Sequence, residues 1–339
     1  MQNDDKNRCK YVFLCGLHRS GTTVLGRNVA RLENCTAFQN TPRFIDEGQL
    51  LQDIYRIDTE FGGAGRFGFD PRAHLTETSD LLTPKNVARL RASWHSYWDG
   101  SKNICVEKTP GNLLMTRFLQ AGFPNSYFVV IRRHPIAVSM ATQGMRLPGI
   151  MWNVKITSLH RLFEHWLRCH ELFEEDKKHV KHLYEFTYED YIGNPAKYHR
   201  EIAAFIGTSV SEMGNTEITG SYNKKYFDRW SKLLTESFFK RYYQYIARKY
   251  EPRFAKYGYS LTKGLGIDEE VLRGRGKTSA AMGTVYCFGA DVCAFLRRFE
   301  TWDLKLQIKA LLPEFILVRI LRARHKSLLN KGRADVVSP

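Results

Sequence analysis

Short apolar runs alternate with helical periodicities along most of this chain. Tyr11-Val12-Phe13-Leu14-Cys15, Ile104-Cys105-Val106 and Tyr127-Phe128-Val129-Val130-Ile131 are continuous and end in polar residues, the mark of strands buried on both faces. Leu183-Tyr184-Glu185-Phe186 reads as a fourth strand. Between them apolar positions recur at helical spacing. One set is Val24, Leu25, Val29 and Leu32; another, from Pro84, is Val87, Leu90, Trp94 and Trp98. Leu113, Leu114, Phe118 and Leu119 form a third, and Ile136, Val138 and Met140 begin a fourth. Residues 158–175 make a long amphipathic helix through Leu159, Leu162, Phe163, Trp166, Cys169 and Phe173. Helices are also predicted over 195–206 and 235–250. Strands that alternate with helices predict an α/β fold around a central parallel sheet.

The pattern lapses in two regions. Residues 34–80 read as loop with short helices, one of them through Leu50, Leu51, Ile54 and Tyr55. Gly62 to Pro71 is too rich in glycine for regular structure and reads as a mobile flap or substrate loop, or equally as a plain surface loop. Gly258-Tyr259 closes what reads as a core domain over 1–262. Residues 263–339 then read as a basic, partly amphipathic C-terminal extension.

The polar clusters lie where such a sheet binds ligands. In a parallel α/β sheet the site forms outside the C-terminal strand ends. Three clusters fall there: His18 to Thr23, Glu107 to Asn112, and Arg132 to Ser139. The first follows a strand and opens a helix, so the free N–H groups of the first helical turn face whatever sits over the loop. Gly16 and Gly21 let the backbone wrap closely around an anion. The spacing approaches that of a nucleotide-triphosphate loop, but Thr22 follows Gly21 where such a loop has Lys, and the cation stands earlier, at Arg19.

Charge and cysteine usage narrow the setting. The 339 residues carry a formal net charge of +16, which favours polyanionic partners without choosing among them. Seven cysteines lack paired spacing, arguing for a reducing compartment. No secretory leader pattern is visible and no apolar run approaches the roughly 20 residues of a membrane span, so a cytoplasmic enzyme is expected. Leu304 to Leu329 interleaves Leu and Ile with Lys and Arg. It could lie on an anionic membrane surface or dock on the body by its apolar face. His160, His165 and His170 fall five apart and read as surface or packing residues, not as metal ligands.

The Arg19-Ser20-Gly21-Thr22-Thr23 loop, paired with the later apolar strand and its Arg133-His134-Pro135 turn, resembles the family of sulfotransferases that use 3′-phosphoadenylyl sulfate (PAPS). The resemblance covers residues 8–262. It implies a P-loop-like sulfotransferase fold and a metal-free transfer of a sulfuryl group to an acceptor hydroxyl. It also implies a phosphosulfate grip from His18, Arg19, Ser20, Gly21, Thr22 and Thr23. The 3′-phosphate would rest on Arg133, with Arg132 as the alternative. Lys108 would stabilise the leaving oxygen. The stretch around Asn223, Tyr226 and Trp230 is similar to a late segment that closes over the donor.

Two departures stand out. The family's serine lies eight residues after the arginine of the 3′-phosphate motif. Here that place is Ala141, and Ser139, at six, is the serine expected to help hold the 3′-phosphate. The base histidine of cytosolic members is replaced by Pro110. The tyrosyl-protein and heparan types use a glutamate after the first helix, and the nearest carboxylates are Asp46 and Glu47. Glu47 is therefore the expected general base, with Glu107 and His18 as rivals. The expected acceptor is a carbohydrate or another small hydroxyl compound, with lipid and protein hydroxyls open. No nucleic-acid module is seen. The competing readings are a P-loop nucleotide kinase or NTPase and a non-catalytic polyanion or membrane-surface binder. The kinase needs a loop Lys and a strand-end Asp, and the best strand here ends in Arg132-Arg133.

Overall fold

A computed structural model of the chain describes residues 9–43, 45–145, 157–210, 223–265, 267 and 280–296. Five strands form one sheet: β1 (Lys10–Cys15), β2 (Cys35–Ala37), β3 (Ile104–Lys108), β4 (Ser126–Arg132) and β5 (Leu183–Thr187). Their order is β2-β3-β1-β4-β5, and every pair is parallel. The central strand is β1, in register with both neighbours: Val12 faces Val106 on β3 and Tyr127 on β4. Its burial on both faces explains why its sequence is a continuous apolar run.

Alternation along β1 sends its side chains into two cores. Val12 and Leu14 join Ile131, Leu25, Val29, Tyr191 and Ile202. Helices α1 (Thr22–Val29), α6 (Tyr188–Gly193) and α7 (Pro195–Ile206) contribute to that layer. Tyr11, Phe13 and Cys15 join the larger core with Trp94, Phe118, Phe128, Phe163 and Trp230. Its helices are α2 (Pro84–His95), α3 (Thr116–Gly122), α4 (Pro135–Gln143), α5 (Leu159–Asp176), α8 (Lys224–Thr235) and α9 (Lys240–Ala255). A further helix, α10 (Ala280–Leu296), packs on α9, where Gly283 lies so close to Tyr245 that a Cβ would come within 2.1 Å of its ring. Asp291 fastens α10 to α5 through Arg161 at 2.8 Å. Among the described residues no helix is long and apolar enough to cross a membrane. The basic stretch Leu304–Leu329 lies outside the described residues.

The fold departs from the expected elements in four places. Strand β2 is an addition: three residues carry no periodicity, and only pairing to β3 makes Cys35–Ala37 a strand. The expected helix through Leu50 to Tyr55 is a 3₁₀ turn over Gly48–Leu51. It stops because the buried Gln52 amide takes over the hydrogen bonding. Its Oε1 accepts from the N–H groups of Ile54 (2.6 Å) and Tyr55 (2.8 Å), and its Nε2 donates to the carbonyls of Gln49 and Tyr55. The Gly62–Pro71 stretch is largely packed inside, with Ala64 and Phe67 buried. Gly65, at φ 79°, would drive a Cβ to 2.4 Å from Leu162. The helix expected over 235–250 begins at Lys240 and is preceded by α8, which is not among the predicted elements.

His160, His165 and His170 are packing residues, all buried. His160 meets the Tyr242 hydroxyl at 3.1 Å, and His170 stacks on Trp166 at 3.8 Å between centroids.

Candidate active site

The turn after β1 is built around backbone that glycine permits. Gly21, at φ 97°, precedes α1, and a Cβ there would meet the Tyr188 ring at 2.6 Å. Arg19 is itself left-handed, at φ 69°. No side chain caps the N-terminus of α1, so its first N–H groups remain available above Ser20, Thr22 and Thr23. Ser20 and Thr22 are buried, while Arg19 and Thr23 are exposed.

The two consecutive arginines after β4 diverge. Arg132 turns to Glu174 on α5, with Nη2 2.7 Å from its carboxylate. Arg133 turns to the loop. Its Nη1 donates to the Arg19 carbonyl at 2.7 Å, and Nε and Nη2 both donate to Asn223 Oδ1 at 2.9 and 2.6 Å. Its guanidinium lies over the Tyr188 ring at 4.1 Å. Burial is the main reason its pKa falls below the usual arginine range. Asn223 in turn donates to Glu189 Oε1 at 2.6 Å, which also accepts from the His134 N–H. The stretch singled out around Asn223 thus reaches the arginine through Asn223 and through the Tyr226 ring, 5.8 Å from the guanidinium. Trp230 instead lies in the core, donating to the Leu261 carbonyl.

A second network spans the ends of β3 and β1. Lys108 Nζ pairs with Glu47 Oε1 at 2.8 Å, both side chains nearly buried. Gln49 Nε2 donates to Glu47 Oε2 at 2.8 Å, and Gln49 Oε1 accepts from the Asp58 N–H at 3.0 Å. Asp58 Oδ2 lies 2.7 Å from His18 Nε2. Burial pushes the Asp58 carboxyl up, but His18 and the bonds from Gln49 and Thr59 together hold it below its ordinary value. The chain Lys108–Glu47–Gln49–Asp58–His18 therefore joins two of the three polar clusters. Gln49 and Asp58 escaped sequence reading because they sit in an aperiodic segment, and their partners are set only by the fold.

The rival carboxylates are placed differently. Glu107 is fully buried and accepts from the Gly48 N–H at 2.8 Å, the Thr109 hydroxyl at 2.5 Å and the Asn112 amide. Burial, partly offset by those bonds, pushes its pKa up to about 7. It ties the Gly48 turn to β3. Asp46 is exposed and bonds to Thr41. Ser139 on α4 lies with His18 in a small cleft under the loop.

A sulfotransferase family model matches residues 12–212, more than half of the chain, and the protein belongs to the sulfotransferase family. It is an enzyme that transfers a sulfuryl group, which sets aside the kinase and non-catalytic readings. Similar solved structures include three sulfotransferases. Sulfotransferase STF1 from Mycobacterium tuberculosis H37Rv is 15% identical, with 78% of this chain and 77% of that one covered and a TM-score of 0.46. The sulfotransferase domain from the curacin biosynthetic pathway is 14% identical over 71% and 97%, with a TM-score of 0.38. A sulfotransferase from Alicyclobacillus acidocaldarius is 11% identical over 78% and 98%, again with 0.38. No curated protein matches the chain.

Proposed function

We propose that the sulfuryl donor is PAPS and that the acceptor is a hydroxyl of a carbohydrate or another small hydroxyl compound. The observation that carries this is the contact of Arg133 with the Arg19 carbonyl at 2.7 Å. It puts an uncapped helix N-terminus and a buried guanidinium side by side, as a donor with two separate anionic ends requires. The α1 N–H groups, Arg19, Ser20, Gly21, Thr22 and Thr23 would hold the phosphosulfate, and Arg133 the 3′-phosphate. PAPS supplies an activated sulfuryl group with a phosphate leaving group.

Sulfuryl transfer, like phosphoryl transfer, asks the protein for positioning and for positive charge near developing negative charge. Lys108, at the end of β3, carries that charge toward the leaving oxygen. Glu47, held 2.8 Å from Lys108, is the general base that takes the proton of the acceptor hydroxyl. Its other oxygen is fixed by Gln49, so the carboxylate is oriented before the acceptor arrives. Residues 1–262 serve as the catalytic unit and 263–339 as an extension that could meet an anionic membrane surface. A cytoplasmic setting agrees with the free cysteines.

The test is thermal. The desulfated product PAP should raise the melting temperature in the absence of Mg²⁺. Stabilisation by Mg-ATP but not by PAP would overturn the donor assignment. A screen with labelled PAPS over sugars, lipids, small alcohols and tyrosyl peptides then identifies the acceptor.

A further inference from the structure

Helix α10 is apolar on its outward side as well as its inward one. Asp291 is the single charged residue in Ala280–Leu296, and it is spent on Ser158 and Arg161 at the start of α5. Gly283 and Ala294 are buried against the body. The outward side carries Val285, Phe288, Gly289 and Val292, which share one face by helical spacing and are all exposed, Phe288 at 70%. A Cβ added to Gly289 would meet nothing within 4 Å. A helix apolar all round is normally covered all round, so this open face calls for a partner.

A second apolar feature stands close by. The turn between α8 and α9 presents Phe238 at 94% and Phe239 at 49% exposure, edge to face at 5.1 Å between centroids. Tyr242 and Tyr245 follow on α9, and both lead to α10. Tyr245 lies against Gly283, and the His160 ring joins the Tyr242 hydroxyl at 3.1 Å to Asp291 at 3.6 Å. From Phe239 to Tyr245 is about 9 Å of helix, so the turn and α10 are neighbours.

The charge around them selects the partner. Exposed Lys240 and Arg241 follow the two phenylalanines, and Lys232 and Lys249 are exposed on α8 and α9. Burial raises the pKa of the Cys287 thiol and the charges of Lys249 and Arg161 oppose it, which sets both cations near α10. Of the acids nearby, Asp291 and Glu164 are paired with arginines, and Glu236 is exposed. Past α10, residues 297–339 carry ten Lys and Arg against four Asp and Glu. A second copy on this face would bring cation to cation, because a two-fold contact pairs a patch with itself. The basic stretch 304–329 laid on it would do the same. Exposed apolar side chains flanked by Lys and Arg suit an anionic lipid surface, which takes up both.

We propose that the outward face of α10 and the Phe238–Arg241 turn rest on an anionic membrane surface, with Phe238, Val285, Phe288 and Val292 entering the headgroup boundary. The inference rests on the reading of 263–339 as an extension that meets such a surface, and it narrows that reading. The contact is α10 itself, and through the α8–α9 turn it includes the catalytic unit.

The test is co-sedimentation of the full chain with vesicles of phosphatidylcholine alone and of two parts phosphatidylcholine to one part phosphatidylglycerol. The protein should bind the mixed vesicles and not the neutral ones, and more weakly as salt rises. Phe238→Ser combined with Phe288→Ser should lower that affinity roughly tenfold or more, since two inserted rings are lost. Lys240→Ala and Arg241→Ala should each lower it about fivefold. All four side chains are exposed, so the melting temperature and the PAP-induced shift should hold in every variant. Failure to bind the mixed vesicles overturns the proposal together with the wider membrane reading. Undiminished binding by the double variant overturns this face alone and leaves the contact to the basic stretch beyond it. A chain that sediments as a dimer, becomes a monomer on Phe288→Ser and ignores vesicles assigns the face to a second copy and overturns the proposal too. None of these outcomes moves the donor assignment, which PAP tests separately.

Discussion

Arg133 Nη1 donates to the backbone carbonyl of Arg19 across 2.7 Å, which fastens the residue after β4 to the turn after β1. The same guanidinium spends two further donors on Asn223. Only a planar fork reaches both partners, and a lysine ammonium does not. Arg133→Lys is therefore expected to weaken PAP binding at least tenfold, read as a smaller thermal shift at fixed PAP without Mg²⁺. An unchanged shift would remove Arg133 from the nucleotide site.

Arg19→Ala separates binding from folding. The side chain is exposed, so its removal should change the stability of the free protein by no more than about 0.5 kcal/mol, the usual range for such surface changes. The PAP-induced shift should nonetheless vanish. Retention of PAP affinity would show that the backbone of the turn suffices without this cation.

Glu47→Gln tests the base. The amide keeps the shape and a link to Gln49 but does not take a proton at working pH. Turnover with a good acceptor should fall by roughly 10²–10⁴, the usual worth of a positioned base. PAP binding should persist. Undiminished turnover would pass the role to another group, Glu107 or His18.

The strands that carry these residues were legible because a central strand buried on both faces must be apolar throughout. Tyr11–Cys15 and Tyr127–Ile131 announce themselves in that way. Cys35–Ala37 does not, since three residues of mixed polarity gain their strand character from Ile104–Val106. The place of the Arg19–Thr23 turn, between β1 and α1, was legible from the apolar run before it and the helical spacing after it. Which of Arg132 and Arg133 turns toward it was not, because that depends on Glu174 and Asn223, far away in sequence. Gln49 and Asp58 were hidden for the same reason: a buried amide bonded to two side-chain networks looks, in a sequence, like any polar loop residue.

Glu107 gives a pH signature. Its pKa rises from an ordinary 4.5 to about 7 on folding, chiefly through burial. The folded state then holds more protons than the unfolded one between those values. This contribution is complete below about pH 4.5 and is lost as pH rises through 7. Glu107→Gln should remove it, so the stability difference between wild type and variant should shift by up to about 3 kcal/mol across that window. Five buried histidines act in the opposite sense. Burial lowers the pKa of His134 and His160 to about 4, of His165 to about 3, of His170 well below its usual value and of His199 below its usual value, so they cost stability as pH falls below about 6.5. Both proteins share them, and the difference isolates Glu107. A flat difference from pH 4.5 to 7.5 would mean that the carboxyl titrates normally.

The segment after β2 is held to the sheet by a few polar ties, Glu107 on Gly48, Lys108 on Glu47 and His18 on Asp58, and by Leu51, Tyr55, Phe61 and Phe67 in the larger core. Its polar ties are discrete, whereas α1 packs directly on β1 and β3. On the placement of donor and acceptor proposed above, substrate choice is mechanically separable from donor handling. Polar substitutions between residues 47 and 58 would then retune what is sulfated while the turn after β1 keeps its shape.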